Sequence, residues 1–321
     1  MKIIKAAPGL DPHDYLKTLL PAEDTVVEAD FFRPLAEQVA DADVLLLRDM
    51  SIDKAVINAA PKLKLLQRYG QHVVNVDLAY ARARGIPVAR VPSAVSKSDI
   101  VVAEHAFYLM LALAKRQKQS LAAFHSGRLG FPETNLLAGK KLALIGVGGT
   151  GAQLARMARA FNMTVLASKR NLDNLDGADE YIDERWPTDR VFEMLNHADF
   201  VSLHLPLNTR TCRLIDADYF AAMSPTSYFI NIARGEIVQK EALMSVLREG
   251  RIAGAGIDVF WSEQNFDAAE FESLENMVCT PHIAGAGVEC LHALAAAVAE
   301  NVNRIRAGQM PLYSLGNDDY E

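Results

Sequence analysis

An α/β fold built on parallel sheets is predicted by three observations. Short β-branched or apolar runs alternate with longer amphipathic stretches, the reading expected of βα units wrapped around a parallel sheet. One such run, Leu142 to Ile145, leads directly into Gly146-Val147-Gly148-Gly149-Thr150-Gly151 and then into the helical stretch Ala152 to Phe161. Finally, 321 residues suffice for two domains, each with its own core, at roughly 100 to 200 residues per domain.

In the first third, strands are expected at Lys2 to Ala6, Thr25 to Ala29, Val44 to Leu47, Leu65 to Tyr69 and Pro87 to Val91. Between them, Phe32 to Ala40 and Lys54 to Ala60 have helical spacing. The small and polar stretch Pro92 to Asp99 reads as a connection, and an unbroken helical pattern runs from Ile100 to Gln117 after it. The first crossing between domains is therefore placed there. Six further strands follow: Lys141 to Ile145, Thr164 to Ser168, Phe200 to His204, Tyr228 to Ala233, Ala253 to Val259 and Met277 to Thr280. That number is enough for a doubly wound sheet. A second crossing is expected near Ala284 to Gly287, so that the helix Val288 to Arg306 and the polar tail return to the first body and make it discontinuous.

Composition narrows the function. With 33 basic and 40 acidic side chains the formal charge is -7, unfavourable for contact with phosphate backbones or anionic lipid, so neither nucleic acid nor membrane is an expected partner. The most apolar stretch, Ala106 to Ala114, is far shorter than the ~20 residues of a membrane span. Met1 to Leu10 lacks the pattern of a secretory signal, and three scattered cysteines, Cys212, Cys279 and Cys290, suit a reducing compartment; cytoplasmic residence is the expectation.

The glycine motif satisfies G-x-G-x-x-G in the context it requires, after a strand and opening a helix. Gly146 permits a tight turn, Gly148 lets the main chain approach a pyrophosphate, and Gly151 lets helix and strand pack closely. The amides of the helix N-terminus, around Val147, Gly149 and Thr150, then face the anion. A dinucleotide is thus the expected cofactor. The next strand ends Ala167-Ser168-Lys169-Arg170, with no carboxylate before Asp173 to accept from a ribose. A hydroxyl and two cations stand where a 2'-phosphate would lie, which favours NADP(H) over NAD(H). The alternative is that Lys169 and Arg170 are solvated strand-end charges.

Polar groups also mark the ends of later strands, along the edge where open α/β sheets bind ligands. They are Arg234, Glu263 and His282. A cation can hold a substrate carboxylate and polarise a neighbouring carbonyl, and a histidine can deliver a proton to the oxygen as hydride arrives. A carboxylate beside that histidine favours its charged form and fixes its tautomer. These are the parts needed to reduce a 2-oxo acid. A metal cluster of Cys279, His282, Cys290 and His292 is not expected, because Cys279 falls inside an apolar strand. His105, His125, His197 and His204 read as structural, whereas His72 can line a pocket.

Several segments in order resemble the D-isomer-specific 2-hydroxyacid dehydrogenase family, which includes phosphoglycerate dehydrogenases and glyoxylate/hydroxypyruvate reductases. They are Leu137-Ala138-Gly139-Lys140 with Gly146 to Gly151, the stretch Ala198 to Leu207, and Asn231-Ile232-Ala233-Arg234-Gly235. Gly254 to Phe260 with Glu263, and Thr280-Pro281-His282-Ile283-Ala284-Gly285, complete the set. The resemblance covers nearly the whole chain. It implies that Arg234 binds the substrate carboxylate and carbonyl, that His282 is the general acid/base, and that Glu263 pairs with it. It implies further that Asp258 orients the nicotinamide carboxamide and that Leu205, Pro206, Ile232 and Ala233 touch the cofactor. Gln71, His72 and Val73, after Gly70, look like the family's substrate loop, whose amides hold the carboxylate, with domain closure excluding water. A homodimer formed through the nucleotide domain is also implied, and the apolar Ile100 to Gln117 helix suits a buried face.

The expected fold is a doubly wound parallel-sheet (Rossmann) nucleotide domain, 99–286, plus a discontinuous flavodoxin-like substrate domain, 1–98 and 287–321. The expected reaction is reduction of a small 2-oxo acid, of glyoxylate or hydroxypyruvate type, to the (R)-2-hydroxy acid with NADPH. A dinucleotide-sensing, corepressor-like binding protein is the alternative. The chain departs from the family pattern in several places: His72 replaces a glycine and Val74 an Asp in the substrate loop, Gly149-Thr150 replaces an Arg and an aliphatic residue, Gln264 replaces a proline, and the Pro92 to Glu104 connection is longer than common. None removes a catalytic group.

Overall fold

The computed structural model describes residues 1–6, 14–30, 32–48, 50–73, 75–261, 263 and 266–316. The chain divides into two compact units, Met1–Ser98 with Ala286–Glu321, and Asp99–Gly285.

The first unit holds five parallel strands, β1 (Lys2–Ala6), β2 (Thr25–Glu28), β3 (Val44–Leu47), β4 (Leu65–Arg68) and β5 (Val88–Ala89), in the order β2-β1-β3-β4-β5. This is the flavodoxin-like order. All four residues of the central β3 are buried, because a parallel strand covered on both faces needs apolar side chains at every position. Asp53 and Asp77 cap the helices Lys54–Ala59 and Leu78–Ala83, accepting from the Val56 and Tyr80 amides at 3.0 and 2.9 Å. Helix Val288–Arg306 belongs to this unit. Its buried Asn301 donates to Gln67 of β4 at 2.8 Å, so two polar groups inside the core satisfy each other. The helix expected over Phe32 to Ala40 is reduced to one 3-10 turn, Leu35–Glu37. Here the Gln38 side chain competes for the main chain, accepting from Asp30 N–H at 2.7 Å and donating to Asp30 O at 2.9 Å.

The second unit carries β6 (Lys141–Ile145), β7 (Thr164–Ser168), β8 (Glu184–Trp186), β9 (Phe200–Leu203), β10 (Tyr228–Asn231), β11 (Gly254–Ile257) and β12 (Met277–Cys279). All are parallel, in the order β12-β11-β10-β9-β6-β7-β8. This is the Rossmann order with one extra strand, and the winding reverses between β6 and β9. Successive side chains of β6 enter opposite cores: Ala143 and Ile145 join Val201, Phe229 and Leu243, while Leu142 and Leu144 join Leu109, Ala155 and Val165. The helix expected over Ile100 to Gln117 runs over Ser98–Ala114, and a second helix that was not expected follows it. Ser98–Ala114 ends where Arg116 turns left-handed (φ 51), and Gln117–His125 starts anew. The longer helix packs on β11, where a Cβ at Gly256 would lie 3.0 Å from Leu109 Cβ, so small residues in the strand permit the close approach. β8 has no apolar run to announce it and is not among the strands expected from sequence.

Candidate active site

The glycine turn occupies the switch point of the second sheet. Gly146 has φ +85, and a Cβ there would come within 2.7 Å of Leu205 Cδ2 and 2.8 Å of His204 O, so only glycine lets the turn pass the end of β9. Gly146 N–H donates to Ser168 O at 2.8 Å, tying the turn to β7. Helix Gly149–Ala160 begins with Gly148 as its cap and no side-chain cap. A Cβ at Gly148 would meet nothing within 4 Å, so its backbone borders open space at the positive end of a helix. Gly151 packs closely, with Gly146 O 3.4 Å from where its Cβ would be. Two buried polar atoms on the framing elements, Gln153 Oε1 and His204 Nδ1, lack partners. Burial pushes the His204 pKa down to about 4, so its ring is neutral at pH 7. This turn fits a pyrophosphate: amides, space and no side chain in the way.

At the end of β7, Ser168 is buried and Arg170 exposed. Lys169 Nζ forms an ion pair with Asp176 at 2.6 Å. Asp176 lies beyond the strand end where a ribose-binding carboxylate is expected; the contact comes from a turn in which Asp176 itself is left-handed (φ 51).

The ends of β10, β11 and β12 carry the proposed chemistry. Asn231 shapes the turn after β10, accepting from Ala233 N–H and donating to Arg234 O, both at 3.0 Å. This turn holds Ile232, Ala233 and the exposed Arg234, whose Nη1 donates to Ala233 O at 2.6 Å. Gly235 then lies against the backbone of Phe260 and Trp261, too near for a Cβ. The Arg234 turn is thereby pressed onto the segment that follows β11.

His282 Nδ1 meets both Glu263 oxygens, at 2.9 and 2.8 Å. Glu263 Oε1 also accepts from Phe260 N–H at 3.2 Å, which fixes the carboxylate. Because a carboxylate accepts, Nδ1 carries hydrogen, and Nε2 is the nitrogen left to exchange a proton. The His282 backbone is left-handed (φ 55), which costs a non-glycine residue about 1–2 kcal/mol. Asp258 offsets that cost: fully buried, it accepts from the Ile283 and Ala284 amides at 2.9 and 2.8 Å and from Thr280 Oγ1 at 2.6 Å. The carboxylate that the resemblance assigned to the nicotinamide is thus engaged by the chain's own 280–284 turn. His105, read from sequence as structural, reaches the same place, with Nε2 2.8 Å from Thr280 Oγ1.

In the first unit, Gly70 (φ +140) opens the 70–73 loop. Gln71 Oε1 accepts from Ser93 N–H at 2.9 Å, and His72 is exposed. The departures at Val74 and Gln264 lie outside the described residues. Among the described residues no group of three or more His, Cys, Asp or Glu is arranged to hold a metal ion, and no helix is long and apolar enough to cross a membrane.

The family model for D-isomer specific 2-hydroxyacid dehydrogenase, NAD binding domain, matches residues 107–284. A glyoxylate reductase of Pyrococcus furiosus is 36% identical over 287 residues, covering 86% of this chain and 83% of its own. Among solved structures, a protein of Thermus thermophilus superposes with a TM-score of 0.81 at 30% identity, over 98% of this chain and 100% of that one. An NADPH-dependent glyoxylate/hydroxypyruvate reductase from Sinorhizobium meliloti, solved with NADP and malonate, gives 0.80 at 25% identity, over 98% and 96%.

Proposed function

The chain belongs to the D-isomer-specific 2-hydroxyacid dehydrogenase family, and from that premise we propose that it reduces a small 2-oxo acid, of glyoxylate or hydroxypyruvate type, to the (R)-2-hydroxy acid with NADPH. The His282–Glu263 pair, on the carboxyl edge of a sheet whose glycine turn fits a pyrophosphate, is the observation that carries this reading. The second unit would bind dinucleotide and the first would take part in binding substrate, with Gln71, His72 and Val73 as contacts.

Gly146 to Gly151 would hold the pyrophosphate, with Leu205, Pro206, Ile232 and Ala233 lining the crevice. Asp258 contributes through the turn it organises. The bound dinucleotide supplies hydride. Arg234 holds the carboxylate and polarises the neighbouring carbonyl; His282 Nε2 gives its proton to the carbonyl oxygen as that oxygen gains charge, and Glu263 keeps the ring in register. In the oxidative direction the same nitrogen takes the proton back.

The preference for NADPH rests on Lys169 and Arg170 and on the absence of a carboxylate at the end of β7. A 2'-phosphate would replace Asp176 as the partner of Lys169. Homodimerisation through the second unit is part of the same reading, on different grounds from those in the sequence. The Ser98–Ala114 helix buries most of its apolar residues in its own core, whereas Phe124, Leu129 and Leu136 beyond it are 76, 94 and 67% exposed. Cys212, Cys279 and Cys290 are thiols, which suits cytoplasmic residence.

The test is steady-state oxidation of NADPH and NADH against a panel of 2-oxo acids. Turnover of glyoxylate or hydroxypyruvate with the higher kcat/KM for NADPH is expected. Replacing Arg170 by alanine together with Lys169→Asp should shift the preference toward NADH by about ten- to several-hundredfold. No turnover of any 2-oxo acid would overturn the reaction, and a ratio favouring NADH in the unaltered chain would overturn the cofactor assignment. Light scattering that shows a monomer at micromolar concentration would overturn the dimer.

A further inference from the structure

We propose that Thr280 and His105 are positioning residues for His282, acting through a directed chain of hydrogen bonds, His105 Nε2–H to Thr280 Oγ1 and Thr280 Oγ1–H to Asp258, that holds the left-handed turn carrying the imidazole. This rests on the proposed role of His282. The direction of the chain follows from chemistry. The Asp258 carboxylate is an acceptor, so the single hydroxyl proton of Thr280 goes to Oδ1 at 2.6 Å. The hydroxyl oxygen is then left to accept, and the Nε2–H of His105 supplies the donor at 2.8 Å. Burial lowers the His105 pKa, with the charge of Asp258 opposing, so the ring is neutral at pH 7 and its one N–H sits on Nε2.

The chain matters because of what Asp258 holds. Its two oxygens take the consecutive amides of Ile283 and Ala284, directly after His282, and the amide of His282 itself donates to Thr280 O at 3.0 Å. Rotation of the Asp258 carboxyl group would release one or both amides and let the turn relax from its left-handed form. That would carry the ring away from Glu263, which lies 19 positions earlier in the sequence. Thr280 resists the rotation from one side and His105 keeps Thr280 aimed. His105 stands on the long Ser98–Ala114 helix and Asp258 directly after β11, so the packing of helix on sheet is transmitted to the imidazole.

The variants Thr280→Val and His105→Phe each remove one link at little change in bulk, and Thr280→Ser and His105→Gln restore a hydroxyl and an N–H donor. For Thr280→Val, kcat for glyoxylate with NADPH should fall about ten- to a hundredfold, while KM for NADPH and its fluorescence-titrated Kd stay within about twofold. His105→Phe should fall less, and Thr280→Ser and His105→Gln should recover to within about threefold of the unaltered chain. The second readout needs no turnover. In nitrogen-15 histidine spectra the Nδ1–H resonance of His282, identified by its loss in His282→Gln, should be protected from exchange in the unaltered chain and in Thr280→Ser, and lost in Thr280→Val. If the unaltered chain reduces no 2-oxo acid, the proposed reaction fails and the spectra alone decide the positioning. A protected His282 resonance in both Thr280→Val and His105→Phe overturns the inference, as does an equal loss of kcat in Thr280→Val and Thr280→Ser.

Discussion

Gly235→Ala should damage both the stability of the second unit and the chemistry assigned to Arg234. An alanine Cβ there would stand 2.9 Å from Trp261 N and nearer still to the carbonyl carbon and oxygen of Phe260. Carbon atoms are comfortable at about 3.5–4.0 Å, so the turn must retreat by roughly 1 Å. All three obstacles are main-chain atoms and cannot rotate aside. The two segments are also tied together nearby, since the Trp261 indole N–H donates to Val238 O at 2.7 Å, and a retreat strains that bond too. Overpacking of this kind costs about 1–3 kcal/mol. A displacement of about 1 Å at a residue that aligns substrate costs about a hundredfold in rate. Urea unfolding followed by tryptophan fluorescence should therefore show a lowered midpoint, and kcat/KM for glyoxylate should fall about a hundredfold in the protein that remains folded. A variant with an unaltered urea midpoint and unaltered kcat/KM would refute the claim that the Arg234 turn is seated against Phe260 and Trp261.

Gly148→Ala makes the opposite prediction: its Cβ enters open space, so unfolding should change by no more than about 1 kcal/mol, while dinucleotide Kd should weaken at least about tenfold, measured by fluorescence titration. His282→Gln should lower kcat about 10²–10⁴-fold while NADPH affinity holds, and Arg234→Ala should raise KM for the 2-oxo acid as well as lowering kcat, which initial-rate kinetics separate. His204, with its pKa lowered by burial from 6.5 to about 4, binds a proton in the unfolded chain at a pH where the folded chain does not. Its contribution is full above pH 6.5 and is lost as pH falls to about 4, by about 3 kcal/mol at 1.36 kcal/mol per unit. Urea unfolding across that range should show the decline, and a His204→Phe variant should show a flatter one.

The alternation of strands and helices, the glycine turn and the parallel class of both sheets were legible in the sequence because their causes are local. β1, β3, β6 and β7 have the limits the sequence implied, since a strand covered on both faces is written mostly in apolar residues, without a break in β3. The glycines of 146 to 151 are likewise a short-range demand of one turn. What only the tertiary structure decided are relations that leave no periodic trace. Lys169 finds Asp176 through a turn, and Glu184–Trp186 becomes a strand because β7 offers it an open edge. The Gln117–His125 helix opens on the polar run Gln117 to Ser120, which carries no apolar period to announce it after the left-handed Arg116. Asp258 spends its carboxylate on a turn some 25 residues downstream, and His105 joins it through Thr280, 175 positions away in the chain. A polar side chain's partner depends on which strand ends the fold brings side by side, and hydrophobic patterning carries no record of that choice.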